Sequence, residues 1–237
     1  MDLARPAAYT QPALSALQTA LYQLTTSFGL KPDFLVGHSL GEITAAHIAG
    51  ILSLEDAAAL VSTRARLMAT MPAGAMTTLH TDADTVQAAL DQFGLSQLLS
   101  IAAYNTPGHT VISGDPEAVN TLTEHFQGQG LRTRSLRTPH AYHSPHIEPI
   151  LAELRDVAAG LTHRPPTIPI ISTLPEATDL QSPDYWTRQA RQPVHFAQAI
   201  ARLAEQGVTH YLELGPDHTL TALTHHTLGH QQHPRTT

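Results

Sequence analysis

Apolar residues near the start of the chain recur at helical spacing and then give way to a short apolar run. The leucines between residues 11 and 25 predict a helix with Pro12 in its first turn. Residues 34–36, Phe-Leu-Val, end at a glycine and predict a buried strand. Helical spacing returns over residues 42–51. The pattern therefore predicts a strand, a sharp turn and a helix, with Ser39 at the turn.

Residues 71–137 alternate between short strand-like and helical patterns. A helix predicted over residues 54–68, with Ser53 as its N-terminal cap, precedes them. The predicted strands span residues 77–79, 98–104, 110–114 and 131–136, and the predicted helices span residues 82–93 and 116–127. This β-α-β-β-α-β order is the ferredoxin-like split motif. We therefore expect residues 71–137 to form a small subdomain, inserted into a large α/β subdomain made of residues 1–70 and 138–237.

Helical and strand patterns alternate again after residue 138. They are a helix over residues 147–160, a strand over 167–173, a helix over 193–206, a strand over 210–214 and a closing helix that starts at 220–223. Strands that alternate with helices favour a mainly parallel sheet. The predicted fold class is therefore α/β.

Composition narrows the classes of partner. Hydrophobic residues make up 42% of the 237 residues and charged residues 14%, which argues against a disordered chain. The net charge is −7 without a run of basic residues, so nucleic acid and membrane are not expected partners. The absence of cysteine excludes disulfides and thiolate chemistry within the chain. No apolar run is long enough to span a bilayer, and the expected location is the cytoplasm.

Histidine is abundant, with 16 residues, and four of them lie in the polar C-terminal region. These four are His225, His226, His230 and His233. They could chelate a metal, but the preferred interpretation is a flexible histidine-rich end. We therefore expect no metal site there.

The five residues Gly37-His38-Ser39-Leu40-Gly41 match the pattern Gly-x-Ser-x-Gly between a strand and a helix. A nucleophilic serine needs a tight, strained turn that lifts its oxygen above the sheet, and glycines on either side keep other side chains away. The Leu40 amide, at a helix N-terminus, can donate to an oxyanion. The motif alone is short, and a glycine-rich turn is the alternative; the strand and helix around it favour a nucleophile.

A serine nucleophile needs a general base, and the candidates lie in one loop. Histidines occur at positions 140, 143 and 146. Three histidines so close together could also bind zinc. Pro139 and Pro145 make this segment a loop without the helical spacing of a metal site, which favours the base.

Three motifs carry a resemblance to a known family. They are Gly37-His38-Ser39-Leu40-Gly41-Glu42, Arg64-Ala65-Arg66-Leu67-Met68 and His140-Ala141-Tyr142-His143-Ser144-Pro145. They resemble the acyltransferase domains of modular polyketide synthases, which belong to the malonyl-CoA:acyl carrier protein transacylase family. Further matches follow in the same order, at residues 9–14, 105–107, 113–115, 185–186, 191–196 and 213–216. The resemblance implies an α/β-hydrolase-like large subdomain with a parallel sheet and an inserted ferredoxin-like small subdomain.

The resemblance also implies catalytic roles. Ser39 would attack an acyl-CoA thioester, and His143 would take its proton and later activate the incoming thiol. That thiol belongs to the phosphopantetheine arm of an acyl carrier protein. No acidic third residue is implied, because a backbone carbonyl orients the histidine in this family. We expect that carbonyl within residues 192–196.

Arg64 matches the arginine that binds the free carboxylate of a malonyl group, and a planar guanidinium suits a carboxylate. Arg66, by contrast, is expected to be a solvated helix residue. Gln11 and Asn105 either line the pocket or satisfy backbone groups. The expected substrate-binding residues are Arg64, Gln11, His38, Asn105, His140 and Tyr142.

The resemblance favours malonyl over methylmalonyl as the acyl group. His140-Ala141-Tyr142-His143 is a variant of the His-Ala-Phe-His motif of malonyl-selecting domains, and Leu40 also suits malonyl. No permanently bound cofactor is implied. Malonyl-CoA would be the substrate, and the partners would be an acyl carrier protein and neighbouring domains of a polyketide synthase, a class that includes enzymes of antibiotic biosynthesis.

The family's Phe-Pro-Gly-Gln-Gly motif, which supplies a second oxyanion donor, does not precede Ser39 here. We therefore expect either a fragment of a longer synthase or a truncated product. Two other functions stay open. One is a serine acyl hydrolase or thioesterase, in which water takes the acyl group, although Arg64 favours transfer. The other is an inactive remnant or docking module.

Overall fold

A computed structural model of the chain describes residues 6–175 and 179–232, without the side chains of residues 6, 7 and 230–232. The helices are α1 Pro6–Ser27, α2 Leu40–Ile48, α3 Leu54–Met68, α4 Ala83–Phe93, α5 Pro116–Gly128, α6 Leu151–Ala159, α7 Pro183–Arg191, α8 Phe196–Glu205 and α9 Thr219–Gln232. The strands are β1 Leu35–Val36, β2 Ala75–Leu79, β3 Leu99–Thr106, β4 His109–Gly114, β5 Thr133–Ser135 and β6 Ile170–Ile171. A 3₁₀ helix, Pro145–Ile150, precedes α6. None of these described helices combines the length and the apolar character that a membrane span requires.

Strands β2 to β5 form an antiparallel sheet in the order β3-β4-β2-β5. The chain runs β2-α4-β3-β4-α5-β5, which is the ferredoxin-like order expected from the sequence. Both helices pack their apolar faces on one side of this sheet, around Leu90, Ile112, Leu122 and Phe126. Asp82 and Asp115 begin these helices by accepting backbone N–H groups with their carboxylates.

The two remaining strands, β1 and β6, pair in parallel, with Leu35 opposite Ile170 and Val36 opposite Ile171. Helices α2, α3, α6 and α7 enclose a second apolar core, which contains Leu60, Met68 and Trp186. The Ser53 hydroxyl accepts the Asp56 N–H and starts α3, as its position in the sequence predicts. Helices combined with a parallel and an antiparallel sheet confirm the α/β class.

A third apolar core joins the two sheets around Met76, Ala103 and Phe196. The backbone of Val194 donates to Ala102 and accepts from Tyr104, which ties the segment before α8 to strand β3. We propose the subdomain division expected from the sequence, with residues 71–137 as the small subdomain. The support is that one apolar core lies wholly within these residues, whereas the third core lies at their boundary.

Two predicted strands differ in the structure. The strand predicted over 210–214 is wrong: no ladder partner lies beside it in the described ranges, Leu212 is 64% exposed, and the Glu213 carboxylate instead accepts the N–H groups of Leu220 and Thr221. The strand predicted over 167–173 shortens to Ile170–Ile171. The N–H groups of Thr167 and Thr173 bond to Ala49 and Glu42, outside any strand ladder.

Helix boundaries also differ. The apolar pattern missed α7, whose sequence is mainly polar and charged. The helix predicted over 193–206 begins only at Phe196, because the Val194 N–H bonds to strand β3. The helix predicted over 147–160 starts as a 3₁₀ turn that contains Pro149, which lacks an N–H.

Two expectations about the chain ends need correction. Pro12 lies inside α1 and not in its first turn, since the helix begins at Pro6. The histidine-rich region is helical rather than a flexible end as far as Gln232, and His225 and His226 lie on α9. His233 and the side chain of His230 lie outside the described residues.

Candidate active site

Ser39 lies between β1 and α2, on a turn that its neighbours make unusually tight. Its backbone has φ 51° and ψ −114°, a conformation that costs a residue with a side chain about 1–3 kcal/mol. A Cβ atom at Gly37 would lie 2.2 Å from the Glu42 nitrogen, so only glycine fits there. The expectation that both glycines are needed for clearance is wrong at Gly41, where a Cβ would approach no closer than 3.8 Å, to the Gln18 side chain.

The side chains of Ser39 and His143 meet although 104 residues separate them in the chain. The Ser39 Oγ lies 2.7 Å from the His143 Nε2. On the other side of the ring, Nδ1 lies 2.8 Å from the carbonyl oxygen of Gln192. A carbonyl only accepts, so Nδ1 carries the proton and Nε2 is free to accept the serine hydroxyl. The orienting carbonyl therefore belongs to Gln192, within the range expected from the sequence.

The pKa of His143 is lowered to about 3. The main cause is burial, and the second is the positive charge of Arg64. The hydrogen bond to Gln192 opposes this shift but does not reverse it. His143 is thus neutral at physiological pH, which is the state in which an imidazole can take a proton. A negative ligand beside Arg64 would offset the second cause and raise the pKa towards its ordinary value.

Arg64, on helix α3, is 4% exposed, and its guanidinium has no acidic partner among the described residues. It donates to the side-chain oxygen of Gln11 and, at 3.0 Å, to the Ser39 Oγ. The buried Nε has no hydrogen-bond partner among the described residues. Burial lowers the pKa of Arg64 to about 10, so the group stays charged at neutral pH. Arg66, two residues on, is exposed and pairs with Glu153, which matches its expected solvated role.

The remaining candidate residues are less tightly joined. The His38 Nε2 donates to the Asn105 side-chain oxygen at 2.9 Å, and this bond brings β3 of the antiparallel sheet to the Ser39 turn. Tyr142 is half-buried and packs against two of the apolar cores. His140 lies apart: its Nδ1 donates to the Pro72 carbonyl, and no hydrogen bond joins it to the others.

The backbone N–H of Leu40 lies at the N-terminus of α2, next to Ser39. Leu40 is the first residue of α2, and its side chain is buried in the second apolar core, which contains Leu60, Met68 and Trp186. Its N–H bonds to no other group in the part of the chain that the structure describes. An unpaired N–H at a helix N-terminus beside a serine suits developing negative charge.

Sequence reasoning missed a buried polar group beneath the turn. Glu42 is fully buried, and its carboxylate accepts four hydrogen bonds. The donors are the N–H and hydroxyl of Thr173, the hydroxyl of Tyr185 and the amide of Gln189. Burial raises the pKa of Glu42, and the hydrogen bonds partly oppose this. The spacing i, i+4, i+7 of Tyr185, Gln189 and Gln192 could have revealed the helix face involved.

The histidines of the 140–146 loop do not converge. His143 uses both ring nitrogens within the protein, and His140 contacts Pro72. Among the residues that the structure describes, no three histidine, aspartate or glutamate side chains are arranged to hold a metal ion.

The described residues thus bring together a Ser–His pair, a buried arginine without an acidic partner and the first N–H of a helix. The chain belongs to the acyl transferase domain family, which matches residues 4–237. The family expected from the sequence is thereby confirmed. The PKS-NRPS hybrid synthetase acdB of Aspergillus candidus is 44% identical to it over 220 residues, 91% of this chain and 9% of the synthase. The chain therefore spans about a tenth of that relative.

Solved structures agree with this assignment. The acyltransferase domain from the second module of the salinomycin polyketide synthase has a TM-score of 0.90 and 43% identity, covering 94% of this chain and 53% of that chain. A malonyl-transacylase in complex with a type II polyketide synthase acyl-carrier protein has a TM-score of 0.86 and 30% identity, covering 93% of this chain and 74% of that chain.

Proposed function

We propose that the chain transfers a malonyl-type group from coenzyme A to the phosphopantetheine thiol of an acyl carrier protein, through an acyl-Ser39 intermediate, as part of a polyketide synthase. One observation carries the proposal. Arg64 is a buried cation without an acidic partner among the described residues, and it lies 3.0 Å from the Ser39 oxygen. A buried charge needs a counter-charge, and a carboxylate beside a serine nucleophile is the acyl group that would supply it.

The first half-reaction forms the acyl-serine. The His143 Nε2 takes the hydroxyl proton while the Ser39 oxygen bonds to the thioester carbon. The negative charge that develops on the carbonyl oxygen is stabilised by the Leu40 N–H and the N-terminus of α2. The carbon–sulfur bond then breaks, and His143 returns the proton to the sulfur of coenzyme A.

The second half-reaction reverses the roles of the thiols. The neutral His143 takes the proton of the phosphopantetheine thiol, and the thiolate attacks the ester of Ser39. The serine oxygen leaves and regains the proton from His143. The Gln192 carbonyl supports both halves, because it holds Nδ1 protonated and leaves Nε2 as the atom that moves the proton.

Malonyl is the proposed acyl group within the malonyl type. Tyr142 is packed against two apolar cores close to Arg64, and Leu40 is buried beside the serine. We propose that these two side chains leave little room for a branch on the carbon next to the thioester. Such a clash is worth about 1–3 kcal/mol in discrimination, so methylmalonyl transfer should be slower but detectable.

The test is intact-protein mass spectrometry after incubation with malonyl-, methylmalonyl- or acetyl-CoA, for the parent chain and for Ser39→Ala. We expect a malonyl adduct on the parent chain alone, a smaller methylmalonyl adduct, and transfer to an acyl carrier protein once it is added. The absence of any adduct would identify an inactive chain. Rapid loss of the malonyl adduct to water without a carrier protein would identify a hydrolase.

A further inference from the structure

The strained Ser39 backbone is not accounted for by its own turn. Within the turn, the Gly41 N–H donates to His38 and the Glu42 N–H donates to the Ser39 carbonyl oxygen, each at 3.0 Å. Such bonds accompany the start of many helices and do not require a positive φ. A strained residue persists only where surrounding contacts hold it. The relevant contacts must therefore come from elsewhere in the fold.

Helix α7 and the residue that follows its end contact the two members of the Ser–His pair. The Gln189 side-chain amide donates to the Ser39 carbonyl oxygen at 2.7 Å. One turn further on, the Gln192 carbonyl accepts from the His143 Nδ1 at 2.8 Å. The position of α7 against the Ser39 turn thus determines how Ser39 and His143 face each other.

Glu42 determines how the Gln189 amide points. The Gln189 Nε2 also donates to the Glu42 carboxylate at 3.2 Å, so both of its neighbours are acceptors and the nitrogen must face them. The amide oxygen on the other side is buried without a partner, which shows that this orientation prevails at a cost. Glu42 is itself held by the Tyr185 hydroxyl at 2.6 Å and the Thr173 N–H at 3.1 Å.

We propose that Glu42 and Gln189 are positioning residues. The Glu42 carboxylate holds the Gln189 amide on the Ser39 carbonyl oxygen, and this contact keeps the Ser39 hydroxyl aimed at His143. Glu42 does not serve as an acidic partner of the histidine, because the His143 Nδ1 bonds to the Gln192 carbonyl. The inference rests on the nucleophile role of Ser39 within the proposed function, but not on the identity of the acyl group.

The experiment measures the rate at which a serine-directed fluorophosphonate labels Ser39, together with kcat and KM for malonyl-CoA. The variants are Gln189→Met, which keeps the volume and removes the donor, Glu42→Gln, and the double variant. The matched control is Leu122→Ala, which destabilises the core beside the antiparallel sheet and touches neither α2 nor α7. Thermal unfolding of every variant provides the stability scale.

We expect about 10- to 100-fold slower labelling for Gln189→Met, in the range of other lost positioning contacts. KM should stay within about twofold, because Arg64 and Gln11 are untouched. The double variant should label no more slowly than Gln189→Met alone, since Glu42 acts through Gln189. Leu122→Ala should label at the parent rate.

Three results would overturn the positioning role. The first is slowing that merely follows the loss of stability, with Leu122→Ala affected equally. The second is additive slowing in the double variant. The third is a parent chain that the fluorophosphonate does not label. Failure of malonyl loading alone, with labelling intact, would overturn the proposed acyl group and leave the positioning role standing.

Discussion

The two sides of the Ser39 turn each bury one charged group. The two groups differ in how completely the protein satisfies them with hydrogen bonds. On the first, the Arg64 side, the guanidinium donates to Gln11 and Ser39 and keeps its Nε unpaired. On the second, the Glu42 side, the carboxylate accepts four hydrogen bonds from the protein. Both side chains are nearly or fully inaccessible to water.

The difference assigns the two buried groups different roles. We propose that the Arg64 guanidinium binds a ligand and that the Glu42 carboxylate fixes the geometry of the turn. An incompletely paired buried cation is costly until an anion arrives, so the Arg64 side gains by binding a carboxylate. A fully hydrogen-bonded carboxylate has nothing further to bind, and its contribution is to join α2 to α7. We therefore expect the Arg64 side to control activity and the Glu42 side to control stability and alignment.

The largest expected effect is that of His143→Gln, a variant at the residue that faces Ser39 between the two sides. Removal of the base should lower the rate of acyl transfer by about 10⁴- to 10⁶-fold, as for other members of serine catalytic units. The Glu42 carboxylate keeps its four hydrogen bonds, so unfolding in denaturant at pH 8 should change little. A variant that keeps more than about a hundredth of the parent rate would show that another group takes the serine proton.

The second effect compares stabilities directly. Glu42→Leu leaves the donors of Thr173, Tyr185 and Gln189 unpaired, so it should lower the free energy of unfolding by about 3–5 kcal/mol. Arg64→Met removes an unpaired buried charge and should change that free energy by about 1 kcal/mol or less. Chemical denaturation of both variants measures the difference. Equal destabilisation by Glu42→Leu and Arg64→Met would contradict the different roles of the two sides.

The third effect tests the Arg64 side as a carboxylate site. Arg64→Ala should lower kcat/KM for malonyl-CoA by about 10²- to 10³-fold, because the malonyl carboxylate would be buried without its cation. The reaction with acetyl-CoA, which lacks the carboxylate, should not fall. Arg66→Ala is the matched control, because Arg66 is exposed on the same helix, and it should behave as the parent. A parallel loss with both substrates would argue against a carboxylate contact.

The smallest effect is a pH dependence of stability. The pKa of His143 is lowered from 6.5 to about 3, so between these values the unfolded chain binds a proton that the folded chain does not. This histidine therefore makes the fold less stable as the pH falls through that window, by about 2 kcal/mol at pH 5. His143→Gln should be relatively more stable at pH 5 than at pH 8, measured by denaturation at both. An unchanged difference would contradict the lowered pKa.

Much of the fold could be predicted from local patterns. The helix Leu54–Met68 begins and ends where its cap and apolar spacing predict, and the ferredoxin-like order of the antiparallel sheet follows from strand and helix patterns alone. The errors fall where tertiary contacts override propensity. Residues 210–214 have a strand-like sequence, but no neighbouring strand pairs with them in the described ranges. The sequence of α7 is mainly polar and charged, so its apolar spacing did not predict a helix.

For the candidate site, the sequence predicted the main residues but not all of their contacts. Ser39, His143 and Arg64 could be named because each belongs to a recognisable motif, and the structure brings their side chains together. Asn105 could not be assigned a contact until β3 was placed beside the Ser39 turn. His140 belongs to a motif too, yet its ring bonds to Pro72 rather than to the other site residues.

The sequence by itself predicted the turn at Ser39 and the membership in the acyl transferase domain family. The turn depends on residues close together in the chain, where a short strand, a glycine and a helix start restrict the backbone directly. The family membership depends on motifs that are each local, although they are spread along the chain. Only the tertiary structure decided which carbonyl accepts from His143, that no acidic side chain of the described residues pairs with Arg64, and that Glu42 meets Gln189 across 147 residues. These contacts depend on how whole helices pack. The free energy that positions them comes from the packing of all three apolar cores and not from any single motif.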